Sequence, residues 1–219
     1  MRVADLLKQC LTSEVRHGIA NAVCEEPARI HRTADAAVGM LVAAMAHLCE
    51  QPEGARALLT SLRKDDPVLL CNLHETTRGS QANILMERGG EQILHFFGRE
   101  FYEAAGRAVS AYGGLGLGAS KSILCLMMPI AMSAVHRSAC DRATLDSMTL
   151  CHSLAQETES TAKLTPEGFW AVARCEARLR PIAEYVKYQG DESPAVDVAL
   201  APSPSVVSSF LSRFMPWAF

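Results

Sequence analysis

Residues 113–122, GGLGLGASKS, put four glycines, a lysine and two serines into ten positions, the composition of a loop that cradles phosphate. Such a loop needs G-x-x-x-x-G-K-[ST] behind a buried strand, so that backbone N–H groups at a helix start surround the phosphates. Here Ser120 precedes Lys121, and Gly114, Gly116 and Gly118 are too evenly spaced for the dinucleotide pattern G-x-G-x-x-G. The preceding FFGREFYEAAGRAVSAY carries Phe97, Phe101, Ala105, Ala108, Val109 and Tyr112 at three- and four-residue intervals, the period of an amphipathic helix. The stretch therefore reads as a helix end, a glycine turn, and a new helix capped at Gly118 or Ser120, without nucleotide affinity.

Metal chemistry is the next possibility. Cys71 with His74, His136 with Cys140, Cys151 with His152 and His47 with Cys49 lie close in sequence. Pairs three or four apart share a helix face, as ligands must. A structural zinc site needs four converging ligands, and no second dense pair stands at finger-like spacing, so no metal or other cofactor is expected. Nucleophilic catalysis lacks a G-x-S-x-G elbow and a recognised cysteine signature. HETTRG and QETEST supply acids whose convergence spacing alone does not establish. No catalytic residue is assigned, and an enzyme is carried only as a second alternative.

Composition narrows the rest. The 219 residues can bury a sizeable core, and 49% hydrophobic with 21% charged residues are globular values. A net charge of −3 gives no bulk attraction for nucleic acid or anionic lipid. MRVADLLKQC carries Asp5 and Lys8 within its apolar pattern, unlike a signal peptide. SILCLMMPIAMSAV stops short of a membrane span and contains Pro129, so a buried core helix is expected and no transmembrane segment. The eight cysteines (10, 24, 49, 71, 125, 140, 151 and 175) form no C-x-x-C pair, which predicts reduced thiols and a cytoplasmic location.

Helical periodicity dominates the elements that must hold these residues. Thr12 is an expected N-cap with Glu14 in the first turn, and HRTADAAVGMLVAAMAHLCE, apolar nearly all round, predicts a central helix. Pro52 opens another short helix, and DDPVLLCNLHETT predicts one more. RGGEQILHFFGREFYEAAGRAVSAY predicts two helices parted near Gly98, followed by helices at 119–136 and 142–157. Thr165 and Pro166 open a further helix that Pro181 should interrupt. A weak internal repeat with an offset of 90 aligns Leu11 with Phe101, Ile19 with Val109, Val42 with Met132 and Met45 with Val135.

The order ADLLKQCLTSEV, AAVGMLVAAMAHLCEQPEGARALLTSL, GGEQILHFFGREF and GLGASKSILCLMMPIAMSAVHR resembles the bacterial YidB-like family over residues 3–157. Pro52, Glu53, Gly54 and Ala55 match its first turn, Phe97 and Gly98 its second signature, and Gly116, Leu117 and Pro129 its third. The chain departs by having Gly39 where the family often has proline, and by an added C-terminal third. The resemblance implies an all-α fold with a homeodomain-like three-helix arrangement and brings no catalytic residues.

The expected architecture is an all-α, compact multi-helix domain of two similar helical units (1–160) with a C-terminal helical extension (161–189). A Pro/Ser/Ala-rich linker (190–204) leads to an aromatic tail (205–219) in which Phe210, Phe214 and Trp217 form a helical stripe, with Phe219 beyond it. Two turns of amphipathic helix are too short to be stable alone, so these residues are the candidate interaction site, for a protein partner or for self-association. The expected function is a non-enzymatic interaction or scaffold module. DNA binding through the homeodomain-like motif is the alternative, but the helix after the glycine turn offers only Lys121 before becoming apolar, and no specific nucleic acid is expected.

Overall fold

A computed structural model describes residues 2–64, 67–140, 146–161 and 167–173. The described residues are all-α: α1 (Val3–Cys10), α2 (Ser13–Val23), α3 (Pro27–Leu48), α4 (Pro52–Leu62), a 3-10 turn (Pro67–Cys71), α5 (Leu73–Thr76), α6 (Gly79–Gly113), α7 (Leu117–Cys140), α8 (Ser147–Thr161) and α9 (Glu167–Ala173). The ends follow local chemistry. Thr12 caps α2 by accepting the Val15 N–H at 3.4 Å, and Pro27 and Pro52 open α3 and α4, where a missing N–H costs nothing. Within DDPVLLCNLHETT, Pro67–Cys71 form the 3-10 turn and Leu73–Thr76 the single-turn α5 rather than one helix, with Asn72 between them at φ −115° and ψ 22°.

The core is built on α3 and α7. From Ala36 to Met45 every residue of α3 is buried, and so is every residue of α7 from Ile123 to Val135. α6 lies along α7, while α8 and α9 both pack on α3. Phe169 of α9 meets Tyr112 of α6 edge-on at 5.5 Å and joins the same core as Val172 and Ala173. Beyond Ala173 the C-terminal extension, the linker and the tail with Phe210, Phe214, Trp217 and Phe219 lie outside the described residues.

The offset of 90 reappears in the backbone. α2 ends at Val23 and α6 at Gly113; Cys24 and Gly114 follow, both left-handed with φ 56° and 62°. The Glu25 N–H then reaches back to the Ala20 carbonyl at 3.0 Å, and the Leu115 N–H to the Ser110 carbonyl at 3.2 Å. This is the six-to-one bond of a Schellman stop, made twice at equivalent positions. α3 starts at Pro27 and α7 at Leu117, again ninety apart, and each of the four residue pairs aligned by sequence is buried. The two halves meet where the Arg29 guanidinium donates to the Gly114 carbonyl at 3.1 Å.

Pro129 stands within α7 without ending it. A proline cannot donate to the carbonyl four residues back, so the Cys125 carbonyl loses its helical partner. Gly89 of α6 lies against that carbonyl: a Cβ there would land on the Cys125 oxygen and meet Pro129 Cδ. The helices approach this closely because Gly89 has no side chain. Nine residues on, Gly98 leaves helical geometry at φ 78° and ψ 175°, a conformation glycine adopts without strain, so α6 is two helices parted by a kink at Gly98, as expected.

Two expectations need correction here. α7 begins at Leu117, with the Ser120 N–H and hydroxyl both bonded to the Gly116 carbonyl at 3.0 Å, so neither Gly118 nor Ser120 is its cap. And α7 runs from Leu117 to Cys140, past both ends of the expected 119–136 helix. Among the described residues, Leu117–Ala139 is a helix long and apolar enough to cross a membrane by length and composition, with mean hydropathy 1.4. In this fold 78% of that window is buried against other helices.

Candidate interaction surface

The glycine turn positions structural groups. Lys121 Nζ lies 2.7 Å from Glu103 Oε1 and 5.2 Å from the centre of the Tyr102 ring. Its side chain is 22% exposed and packs on Gly106, so it is a half-buried strut between α6 and α7 rather than an exposed lysine. Below it the Tyr102 hydroxyl and the Cys125 thiol are 3.5 Å apart. Burial raises both: Tyr102 above its ordinary range, and Cys125 to about 11 against the opposing pull of the Tyr102 hydrogen bond and Lys121.

The histidine and cysteine pairs have other partners. His47 Nδ1 meets Glu50 at 3.0 Å, His74 meets Glu75 at 3.6 Å, and His152 meets Gln156 at 2.9 Å. Cys71 Sγ accepts from Arg137 at 3.8 Å. Among the described residues no three metal-ligating side chains converge.

What the fold does present is the outer face of α6 before its bend. The inner face buries Ala82, Leu85, Gly89 and Ile93 at helical spacing, which turns Asn83, Ile84, Glu87, Glu91, Leu94 and His95 outward. Ile84 is 57% exposed and Leu94 43%, large apolar side chains with acids between them. At the bend the half-buried Phe96 and Phe97 continue the apolar surface, with the Phe97 ring tilted by 48° against Phe101 at 4.8 Å. Past it, Arg99, Glu100 and Arg107 are exposed, so the helix shows both signs of charge along its length. The leucine and isoleucine were missed in sequence because the same helix has enough apolar residues for a core face as well. The bend at Phe97–Gly98 was the available signal.

No curated protein and no solved structure matches the chain. A family model described as a bacterial protein of unknown function (DUF937) matches residues 5–138, which run from α1 to the end of α7. The YidB-like segments fall within that span and are consistent with it. As the match covers more than half of the chain, the protein belongs to this bacterial family (DUF937), and its α8 and α9 lie beyond the matched residues.

Proposed function

We propose that this chain is a non-enzymatic interaction module in which the outer face of α6 receives the aromatic tail, residues 205–219, of the same or a second copy. The observation that carries this reading is the exposure of Ile84 and Leu94 beside Glu87 and Glu91 on one helix. Apolar anchors within a polar rim are what an amphipathic helix docks on. The tail supplies Phe210, Phe214 and Trp217 at i, i+4 and i+7, and its one cation, Arg213, complements the two glutamates. Reach is ample. Residues 174–204 span on the order of 100 Å when extended, and α6 is about 50 Å long. A surface of mixed sign supports a protein ligand over nucleic acid, and the packing of α7 against α3 and α6 supports its reading as a core helix.

The test uses the chain ending at residue 204 and a labelled peptide of residues 205–219. The truncated chain should keep its helical circular dichroism and bind the peptide saturably in the micromolar range. Leu94→Glu or Ile84→Glu should weaken binding by about tenfold or more, the loss of ~1.4 kcal/mol expected from one anchor. Unfolding on truncation would make the tail part of the core. Binding that ignores both substitutions would remove α6 as the receiving surface.

A further inference from the structure

Cys49 is the residue that ends α3, 6% exposed, and Cys151 lies half-buried on α8, a hundred and two positions later. The Cys151 thiol donates to the Cys49 carbonyl at 3.3 Å, which sets the two cysteines side by side across the α3–α8 contact. A disulfide needs the sulfurs at ~2.05 Å, and with Cys151 Sγ already against the Cys49 backbone the approach falls to side-chain rotation. α8 and α3 are already packed together, so no helix has to travel. We propose that Cys49 and Cys151 are a dithiol site that a low-molecular-weight disulfide, of the glutathione class, oxidises to an intrachain disulfide.

The order of events follows from access. Cys151, partly exposed, attacks as the thiolate; its S–S bond to one half of the small disulfide forms as the other half leaves as a thiolate. Cys49 then loses its proton and attacks Cys151 Sγ, forming the intrachain bond and expelling the second half. Two protein thiols give up two protons and two electrons, and one external disulfide becomes two thiols. Burial, reinforced by the Cys151 thiol beside it, pushes Cys49 up to about 12, so it is not the first nucleophile; it acts second, on a sulfur already placed beside it. Once Cys151 carries the mixed disulfide, that reinforcement is gone. The consequence is local to the family boundary. α3 lies inside the residues that the family model matches and α8 outside them, so oxidation latches α8 covalently onto the matched segment.

The experiment incubates the full-length native protein with oxidised and reduced glutathione in graded ratio, quenches with acid, and maps the products by non-reducing digestion and mass spectrometry. The expected product is the Cys49–Cys151 cross-link, formed faster as the pH rises, with the thermal midpoint raised by roughly 5–15 °C and restored by dithiothreitol. Cys49→Ser should stop at a glutathione adduct on Cys151, and Cys151→Ser should give neither an adduct on Cys49 nor the thermal shift, whatever the exposed Cys24 and Cys71 take up. Helical circular dichroism establishes that each variant is folded, and Cys151→Ala serves if the serine is not tolerated. A wild-type protein that stops at the Cys151 adduct, links another pair, or leaves both thiols free while native overturns the proposal.

Discussion

Cys125 and Cys49 sit in apolar surroundings that hold their thiols at about 11 and 12, whereas Cys24 and Cys71 are exposed. Iodoacetamide at pH 8 should therefore label Cys24 and Cys71 first and leave Cys125 and Cys49 unmodified until the protein unfolds, as peptide mapping would show. The same shifts make stability pH-dependent. A raised folded pKa stabilises fully below the unfolded value of about 9, and that contribution is lost as pH climbs toward the folded values near 11 and 12. Denaturation midpoints should thus fall progressively above pH 9, and a flat profile would contradict the burial of these thiols. At this scale the sequence was a partial guide. Spacing put His47 with Cys49 and Cys151 with His152, but His47 turns to Glu50 three residues on, and Cys151 meets Cys49, a contact between distant segments that leaves no trace in local spacing. Lys121 misled in the same way: its partner Glu103 lies across the glycine turn, and Lys121→Ala should cost about 1 kcal/mol rather than nothing.

Among the elements, the α6–α7 contact makes the sharpest demand. Gly89→Ala would drive a methyl into the Cys125 carbonyl, where backbone must move, and should cost ~1–3 kcal/mol or more in urea denaturation. Gly90→Ala meets only Cys125 Sγ at 3.4 Å, so its better helix propensity should leave it neutral or stabilising by up to about 1 kcal/mol. Equal losses at both sites would show that the close approach is absent. α8 is tied to α1 by the buried Glu157, which accepts the Val3 N–H at 3.0 Å, and Glu157→Ala should cost at least ~1.5–3 kcal/mol. The helix starts at Thr12 and Pro52 and the stop at the glycine turn were legible because caps and breakers act locally, whereas α3 starts at Pro27, four residues before the expected His31. The cap of α8, Asp146 accepting the Thr149 N–H at 2.7 Å, was not, since the helix was expected to begin at 142.

At the scale of the molecule, two units with the same stop and the same interval to the next helix form one core, with α3 and α7 in equivalent places at its centre. The repeat was faint in sequence because buried positions accept any apolar residue of suitable size, as Leu11 with Phe101 and Val42 with Met132 illustrate. Equivalent helices have diverged in what they expose, and it is α6 that carries the open apolar face. The central claim is that this face holds the aromatic tail. In a Trp170→Phe protein, Trp217 is the sole tryptophan, and its fluorescence reports the tail directly. The account predicts native emission shifted to shorter wavelength than that of the urea-unfolded chain, and a return toward the unfolded position on Leu94→Glu. Native emission already at the unfolded position, or a blue shift unmoved by Leu94→Glu and Ile84→Glu together, would contradict it.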